Sequence, residues 1–171
     1  MKSLLIVPFS FLFMSFSFAP DWHWKSAYTD IQKDCVVISE ASDQAPIDFY
    51  EAECRSFGGY QLYIEGGDLR YGPKLIFNGV QINLQRPGNF HDPGSDKIQW
   101  LYRHSADADG VGAIEWAGLI YRLSVVDAEN GTDTSILYSV RLDKEKSCVI
   151  GTSQTEEEAE SLIYHSKADC L

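Results

Sequence analysis

Much of this chain alternates between apolar and polar residues with the period of two that is typical of β-strands. In residues 60–65, Tyr60, Leu62 and Ile64 alternate with more polar side chains, and residues 97–103 repeat the pattern around Ile98 and Trp100. Such alternation predicts strands that are buried on one face. β-branched and aromatic runs predict further strands at residues 35–40, 47–55, 75–84, 113–116, 119–126, 135–142 and 147–150. Residues 21–31 have no clear period.

Glycine pairs and Asn-Gly dipeptides separate these predicted strands. Asn78-Gly79 and Asn130-Gly131 each lie between apolar runs and predict β-hairpins. We expect Gly58-Gly59 to break the chain before the strand at 60–65, and Gly66-Gly67 to end that strand in a turn. Residues 86–96, with the sequence RPGNFHDPGSD, and residues 105–112 are predicted loops.

The pattern changes to a helical one near the C-terminus. Thr155 with Glu158, or Ser153 with Glu156, forms a possible capping box at the start of one helix of about twelve residues. Its short apolar face consists of Ala159, Leu162 and Ile163. The chain is therefore predicted to be an α+β domain, mainly an antiparallel β sandwich or a partly closed barrel, with one C-terminal helix over an edge or face.

The first 19 residues have the features of a secretory signal peptide. Lys2 precedes an apolar run at residues 4–18, and small residues favour cleavage near residues 17–19. The run is too short and too poor in flanking charge for a stable membrane span. We therefore expect residues 20–171 to form a single domain that is secreted or periplasmic and has no membrane span.

Four cysteines, Cys35, Cys54, Cys148 and Cys170, follow the predicted signal peptide. An even number in this context indicates disulfide bonds. Of the three possible pairings we predict Cys35–Cys54 with Cys148–Cys170, because each pair joins neighbouring predicted elements. A zinc site is the alternative, but the spacing contains neither C-x-x-C nor a pair of histidines.

The charge balance is strongly acidic, with 14 basic and 25 acidic residues and a net charge of −11, which becomes −12 once Lys2 is removed. Such a charge repels nucleic acid and anionic lipid and favours basic partners or cations. A simpler interpretation is that the acidity keeps a secreted protein soluble. We predict an unknown protein or small ligand as the partner, with a basic partner favoured.

The motifs of common catalytic classes are missing from the sequence. There is no G-x-S-x-G, S-x-x-K or H-E-x-x-H, and no phosphate-binding or dinucleotide-binding glycine motif, so no cofactor is predicted. Oxidised cysteines leave no thiol nucleophile. Of the four histidines, His23, His91, His104 and His165, none is spaced diagnostically from a partner. A small hydrolase that uses His91 or His104 with a carboxylate remains an alternative.

Several residues are candidates for binding or for structural roles. The loop at 86–96 contains a possible ligand set, Arg86, Asn89, His91 and Asp92. Asp107 and Asp109 weakly resemble part of a calcium loop, but the spacing to Glu115 is one residue short and no helices are predicted beside it.

Asp68 and Arg70 follow a glycine pair, and we interpret them as a structural ion pair that fixes a corner. Asn130 begins an N-glycosylation pattern, which the hairpin turn also explains. The four tryptophans, Trp22, Trp24, Trp100 and Trp116, could form a platform that stacks on sugars, but alternating aromatics are more often core residues.

The order of short motifs resembles a family of small, secreted bacterial proteins whose activity is uncharacterised. The motifs that carry the resemblance are Cys35, Cys54, Gly58-Gly59-Tyr60, Gly67-Asp68-Leu69-Arg70, Glu115-Trp116 and Cys148. The resemblance implies a small secreted bacterial protein and brings no activity with it.

These observations predict a secreted, non-catalytic binding or interaction protein with an acidic surface, inhibitor-like or associated with the cell envelope. The alternatives are the small hydrolase and a purely structural envelope protein. The loops at residues 86–96 and 105–112 are predicted to be better sites than residues 54–70, which are interpreted as scaffold.

Overall fold

The fold was analysed in a computed structural model, which describes residues 21–41, 49–67, 70–84, 97–105, 112–126, 131–165 and 169–171. The described residues form ten strands and two helices. In chain order they are β1 (Trp22–Asp30), α1 (Ile31–Asp34), β2 (Cys35–Glu40), β3 (Tyr50–Cys54), β4 (Tyr60–Gly67), β5 (Arg70–Phe77), β6 (Val80–Ile82), β7 (Lys97–Ser105), β8 (Ile114–Val126), β9 (Asp133–Arg141), β10 (Cys148–Ser153) and α2 (Glu156–His165).

The strands form two five-stranded antiparallel sheets. The first sheet has the order β1-β7-β8-β9-β10, and the second has the order β2-β3-β4-β5-β6. Each sheet contains a run of strands that are consecutive in sequence, and β1 is added at the edge of the first sheet beside β7. The sheets do not close into a barrel. The predicted α+β class is confirmed, and of its two forms the structure has the open, two-sheet one.

The main core lies between the two sheets, on the inward faces of the alternating strands. Trp100 and Tyr121 are the largest fully buried side chains, and both polar groups are satisfied. The Trp100 indole donates to Thr29 Oγ1 at 2.9 Å, and the Tyr121 hydroxyl donates to the Leu84 carbonyl at 3.0 Å. A buried aromatic ring adds buried apolar area to the core, and the hydrogen bond of its polar group fixes the position of the ring.

A second, smaller core lies on the outer face of the first sheet, under α2. It consists of Leu101, Ile120, Leu137, Ile150, Ala159 and Ile163. Gly118 on β8 allows the helix to approach, because a Cβ there would lie 2.5 Å from Ile163 Cδ1. The strands predicted at residues 113–116 and 119–126 are one continuous strand, β8, with a register shift at Ala117 beside Gly118.

The C-terminal helix begins as its sequence predicts, and Thr155 is the residue that caps it. The Glu158 amide donates to Thr155 Oγ1 at 3.3 Å, while Ser153 Oγ donates to the Thr155 carbonyl. The helix has ten residues, two fewer than expected. Neither of the helices in the described ranges combines the length and apolar character needed to cross a membrane.

Both disulfide bonds have the predicted pairing. Cys35 and Cys54 lie opposite each other on β2 and β3. Cys148 at the start of β10 is bonded to Cys170, with 5.6 Å between the Cα atoms. The second bond holds the chain after α2 against the sheet on which that helix packs, so it stabilises the outer layer of the fold.

Residues 21–31, which have no clear period, include a nine-residue strand, β1, at the edge of the first sheet. The expectation of a turn at Gly66-Gly67 was wrong. Gly66 and Gly67 do not form a turn. They continue β4 and pair with Tyr71 and Arg70 of β5, because the cross-strand register is maintained up to the end of the hairpin.

Candidate functional site

An open groove of about 390 Å³ lies at one end of the sandwich, where both sheets contribute to its walls. The second sheet supplies Gly58, Tyr60 and Phe77, and the first sheet supplies the start of β8 and the turn after β9. From these last two segments come Ile114, Glu115, Trp116, Leu142, Asp143 and Lys144. A concave space of this size, with aromatic walls and a few charged groups, is typical of a ligand site.

Aromatic side chains form the apolar part of the groove and hold each other in place. The Trp116 ring stacks on Phe57 with centroids 4.9 Å apart, and it lies 4.7 Å from the Tyr102 ring. The Tyr60 and Phe77 rings lie 4.8 Å apart. Each of these rings therefore packs on at least one other ring.

Gly58 is required by this packing. Its φ of +67° is in the left-handed region, and a Cβ at this position would lie 2.7 Å from Trp116 Cγ and Cδ1. Only glycine combines that backbone conformation with such a close approach to the indole ring. The glycine pair that was predicted to break the chain therefore also shapes the groove.

The hydroxyl of Tyr60 belongs to the scaffold. It lies 3.1 Å from Ser147 Oγ, and it accepts a hydrogen bond from the Lys144 amide at 2.9 Å. Ser147 donates its own proton to the Lys144 carbonyl, so Tyr60 is the donor to Ser147. Burial raises the pKa of Tyr60 above its ordinary value. A neutral phenol with both hydrogen-bonding directions in use connects the two sheets and has no free proton for catalysis.

The turn between β9 and β10 carries the charged rim of the groove. Ser147 Oγ accepts from the Asp143 amide at 2.9 Å, and the Lys146 amide donates to the Asp143 carbonyl at 2.9 Å. These bonds fix the backbone while Asp143 and Lys144 remain exposed. No hydrogen bond or ion pair of the Asp143 carboxylate is found among the described residues, so it can accept one from a ligand.

The Glu115 carboxylate is paired within the protein. Both of its carboxylate oxygens accept from Arg103 Nη2 at 2.6 Å. The Arg103 guanidinium also lies 5.4 Å from the Trp22 ring centroid and 5.8 Å from that of Trp24. Cation–π contacts of this kind hold an arginine in one orientation. The charge of Glu115 is therefore neutralised within the protein, and Asp143 is the carboxylate available at the rim of the groove.

A second groove, of about 240 Å³, lies on the outer face of the first sheet beside the start of α2. Its charged and polar groups are largely paired. Gln99 donates to Ser26 Oγ at 3.0 Å and to Glu160 Oε1 at 2.6 Å, and Arg122 lies 3.5 Å from Glu156. This groove is smaller and less aromatic, so we regard the first groove as the candidate site.

The described histidines do not form a catalytic arrangement. His104 lies on β7 opposite His23 and is bonded to no carboxylate in the described part of the chain. Neither of the two grooves above is lined by a histidine. His23 contacts Asp21 at 3.3 Å, but both side chains are largely exposed. His165 is exposed at the end of α2.

The other predicted site residues lie outside the described part of the structure. They are the loop residues Arg86, Asn89, His91 and Asp92, the calcium candidates Asp107 and Asp109, Asn130, and Asp68 with the side chain of Arg70. The backbone of Arg70 begins β5. Within the described ranges, no group of three or more histidine, cysteine or acidic side chains is arranged to hold a metal ion.

Sequence reasoning missed the groove because its residues come from four separate segments. The sequence predicts Tyr60 and Trp116 only as strand residues, and it predicts no site between the strands at 135–142 and 147–150. The closest signal was Gly58-Gly59 immediately before an aromatic strand residue. Comparison of this chain with known protein families, with curated proteins and with solved structures finds no match. The resemblance to a family of secreted bacterial proteins therefore stays a prediction.

Proposed function

We propose that this protein is a secreted, non-catalytic binding protein, inhibitor-like or associated with the cell envelope, and that it binds a basic partner through the groove at the end of the sandwich. The observation that carries the proposal is the combination of a packed aromatic wall with a carboxylate at the rim, Asp143, that has no hydrogen bond or ion pair among the described residues. The two disulfide bonds fit an oxidising compartment outside the cytoplasm.

An arginine side chain is the ligand group that fits this chemistry best. Its planar guanidinium stacks on aromatic faces and forms charge-assisted hydrogen bonds with carboxylates. The groove offers the half-buried rings of Phe77 and Trp116 for the first contact and Asp143 for the second. The net charge of −11 adds a long-range attraction for a basic partner.

The polar groups of the groove favour binding over catalysis. The Tyr60 hydroxyl and the Glu115 carboxylate are both used within the protein, and no described histidine lines the groove. A general acid or base must reach the reacting proton with a free lone pair or proton. The hydrolase alternative that uses His104 has no carboxylate partner among the described residues to support it.

Calorimetric titration with a short arginine-containing peptide tests this proposal, and the matched control peptide carries citrulline, which is neutral and nearly isosteric. We expect Asp143→Asn to weaken binding of the arginine peptide roughly tenfold, as loss of one charge-assisted hydrogen bond implies. Glu145→Gln is the matched protein control, because it removes the same charge from the same exposed turn outside the groove lining.

Three results would contradict the proposal. Equal affinity for the arginine and citrulline peptides would exclude a cationic ligand. Equal weakening by Asp143→Asn and Glu145→Gln would show that only net charge matters. Cleavage of the peptide, detected by mass spectrometry after incubation, would replace a binding function with a catalytic one.

A further inference from the structure

The edge strand of the second sheet exposes an apolar run to solvent. β2 pairs only with β3 among the described strands, and its three central apolar residues are largely accessible to solvent. Val36 is 70% exposed, Val37 is 46% exposed and Ile38 is 51% exposed. Phe49, next to β3 at the other side of the hairpin, is also exposed. Contiguous exposed apolar residues mark interaction surfaces more often than isolated ones do.

Proteins usually protect such an edge against strand pairing. The common devices are lysine on the strand, proline, short length and β-bulges. β2 has a register shift between Val37 and Ser39, but it is six residues long and contains neither lysine nor proline. By contrast, β6 at the opposite edge of the sheet has only three residues. The outward backbone groups on β2 are thus flanked by apolar side chains suited to an added strand.

Carboxylates surround this apolar run. Glu53 lies opposite Val36 in the β2–β3 register, and Glu40 ends β2. Both are exposed, and neither has a hydrogen bond or an ion pair with any residue in the described ranges. Of the two bases near the start of β2, Lys33 is paired with Asp30 at 3.0 Å, and the Arg55 guanidinium lies 5.1 Å from the Phe57 ring centroid. An added strand would therefore meet apolar side chains along its length and negative charge on either side.

We propose that β2 accepts an additional strand from a partner protein, in a segment that alternates apolar and basic side chains. The main chain of the partner would pair with the free edge of β2. Its apolar side chains would cover Val36, and its basic side chains, on the opposite face of the added strand, would approach Glu40. Addition of a strand to an exposed sheet edge is a common mode of peptide recognition. A second copy of this chain fits less well, because each copy carries a net charge of −11 and the two would repel each other.

The test uses a synthetic peptide of about seven residues that alternates valine and lysine, a length matched to a typical strand. The control peptide alternates valine and glutamate. Amide hydrogen exchange of β2 is measured with and without each peptide, together with the dissociation constant. We expect the lysine peptide alone to slow exchange of β2 amides, because an added strand would bond those that point away from β3.

A matched pair of variants locates the contact. Val36→Lys adds a charge to the free edge and removes apolar area, and we expect it to weaken peptide binding about tenfold. Val80→Lys makes the same change on β6, where the valine is 45% exposed, and should leave the affinity unchanged. Both positions are exposed, so both variants should retain the fold, which the melting temperature verifies.

Several outcomes would overturn the inference. Equal binding of the glutamate peptide would remove the charge argument, and protection of amides outside β2 would place the peptide elsewhere. Sedimentation as a dimer that Val36→Lys converts to a monomer would make a second copy the occupant. Loss of peptide binding in Asp143→Asn but not in Val36→Lys would assign the peptide to the groove, so the two proposals fail separately.

Discussion

Replacing Tyr60 with phenylalanine tests whether this side chain connects the two sheets as its hydrogen bonds suggest. The ring and its contacts with Phe77 and Trp100 are retained, so the change in buried apolar area is negligible. What is lost is the acceptor for the Lys144 amide at 2.9 Å and the donor to Ser147 Oγ at 3.1 Å. Ser147 still accepts from the Asp143 amide, so the main loss falls on Lys144.

The expected loss of stability depends on how far water can reach the Lys144 amide. A net hydrogen bond contributes about 1 kcal/mol, and an unsatisfied buried group costs about 1–3 kcal/mol. Lys144 lies on an exposed turn where water can replace part of the bond. We therefore expect Tyr60→Phe to lower the free energy of unfolding by about 1–2 kcal/mol, which corresponds to a decrease of about 2–8 °C in melting temperature.

Urea unfolding under non-reducing conditions measures this effect. The midpoint should fall while the slope stays constant, because neither the covalent framework nor the buried area changes. Tyr63→Phe is the matched control, since Tyr63 lies on the same strand, faces outward, and its hydroxyl forms no hydrogen bond within the described ranges. Equal stability of the two variants, or a Tyr60→Phe effect below about 0.3 kcal/mol, would refute the proposed link between the sheets.

Two other predictions concern the outer layer around α2. Burial and the Glu160 carboxylate raise the pKa of Tyr164 to about 12 in the folded protein. In the unfolded chain the Tyr164 phenol loses its proton near pH 10. The free energy of unfolding should therefore fall as the pH rises from about 10 to about 12. Tyr164→Phe should reduce that slope in pH-dependent melting, and an unchanged slope would contradict it. Gly118→Ala should cost about 1–3 kcal/mol, because its Cβ meets Ile163. In a chemical-denaturation double-mutant cycle with Ile163→Ala, strict additivity would disprove that clash.

Local sequence signals predicted the parts of the fold that depend on neighbouring residues. Asn78 and Gly79 both have positive φ, as a tight hairpin between twisted strands requires. Thr155 caps α2, and the alternation of residues 60–65 matches the buried positions of β4. In each case the residue type restricts its own backbone conformation, or the side chain faces the core at a regular period. A short window of sequence is therefore enough to predict the element.

The missed features depend on residues that are distant in sequence. Gly66 and Gly67 suggest a turn by themselves, but pairing with β5 holds them in a strand. Gly118 separates two predicted strands in the sequence, and only the position of Ile163 on α2 shows why glycine is needed there. Tyr60 meets Ser147 across 87 positions of the chain, and no local pattern encodes that distance. The groove belongs to the same class, because its walls meet only when both sheets are assembled.

The meaning of the acidic composition depends on which charges are paired. Lys74 lies 3.1 Å from Glu51 and 3.0 Å from Glu65, and Arg103 is bonded to Glu115. These bases neutralise carboxylates on the outer faces of the sheets. Other carboxylates, elsewhere on the surface, have no such partner among the described residues.

Asp143 at the groove and Glu40 and Glu53 beside β2 are three of those carboxylates. None of them forms a hydrogen bond or ion pair within the part of the chain that the structure describes, and all three are exposed. If the acidity served solubility alone, its distribution relative to concave or apolar surface would be arbitrary. Here uncommitted carboxylates border an aromatic groove and an exposed apolar strand, the two surfaces best suited to contact a partner. Association at both surfaces should therefore weaken as ionic strength rises, because added salt screens exposed charges over about 10 Å at 0.1 M.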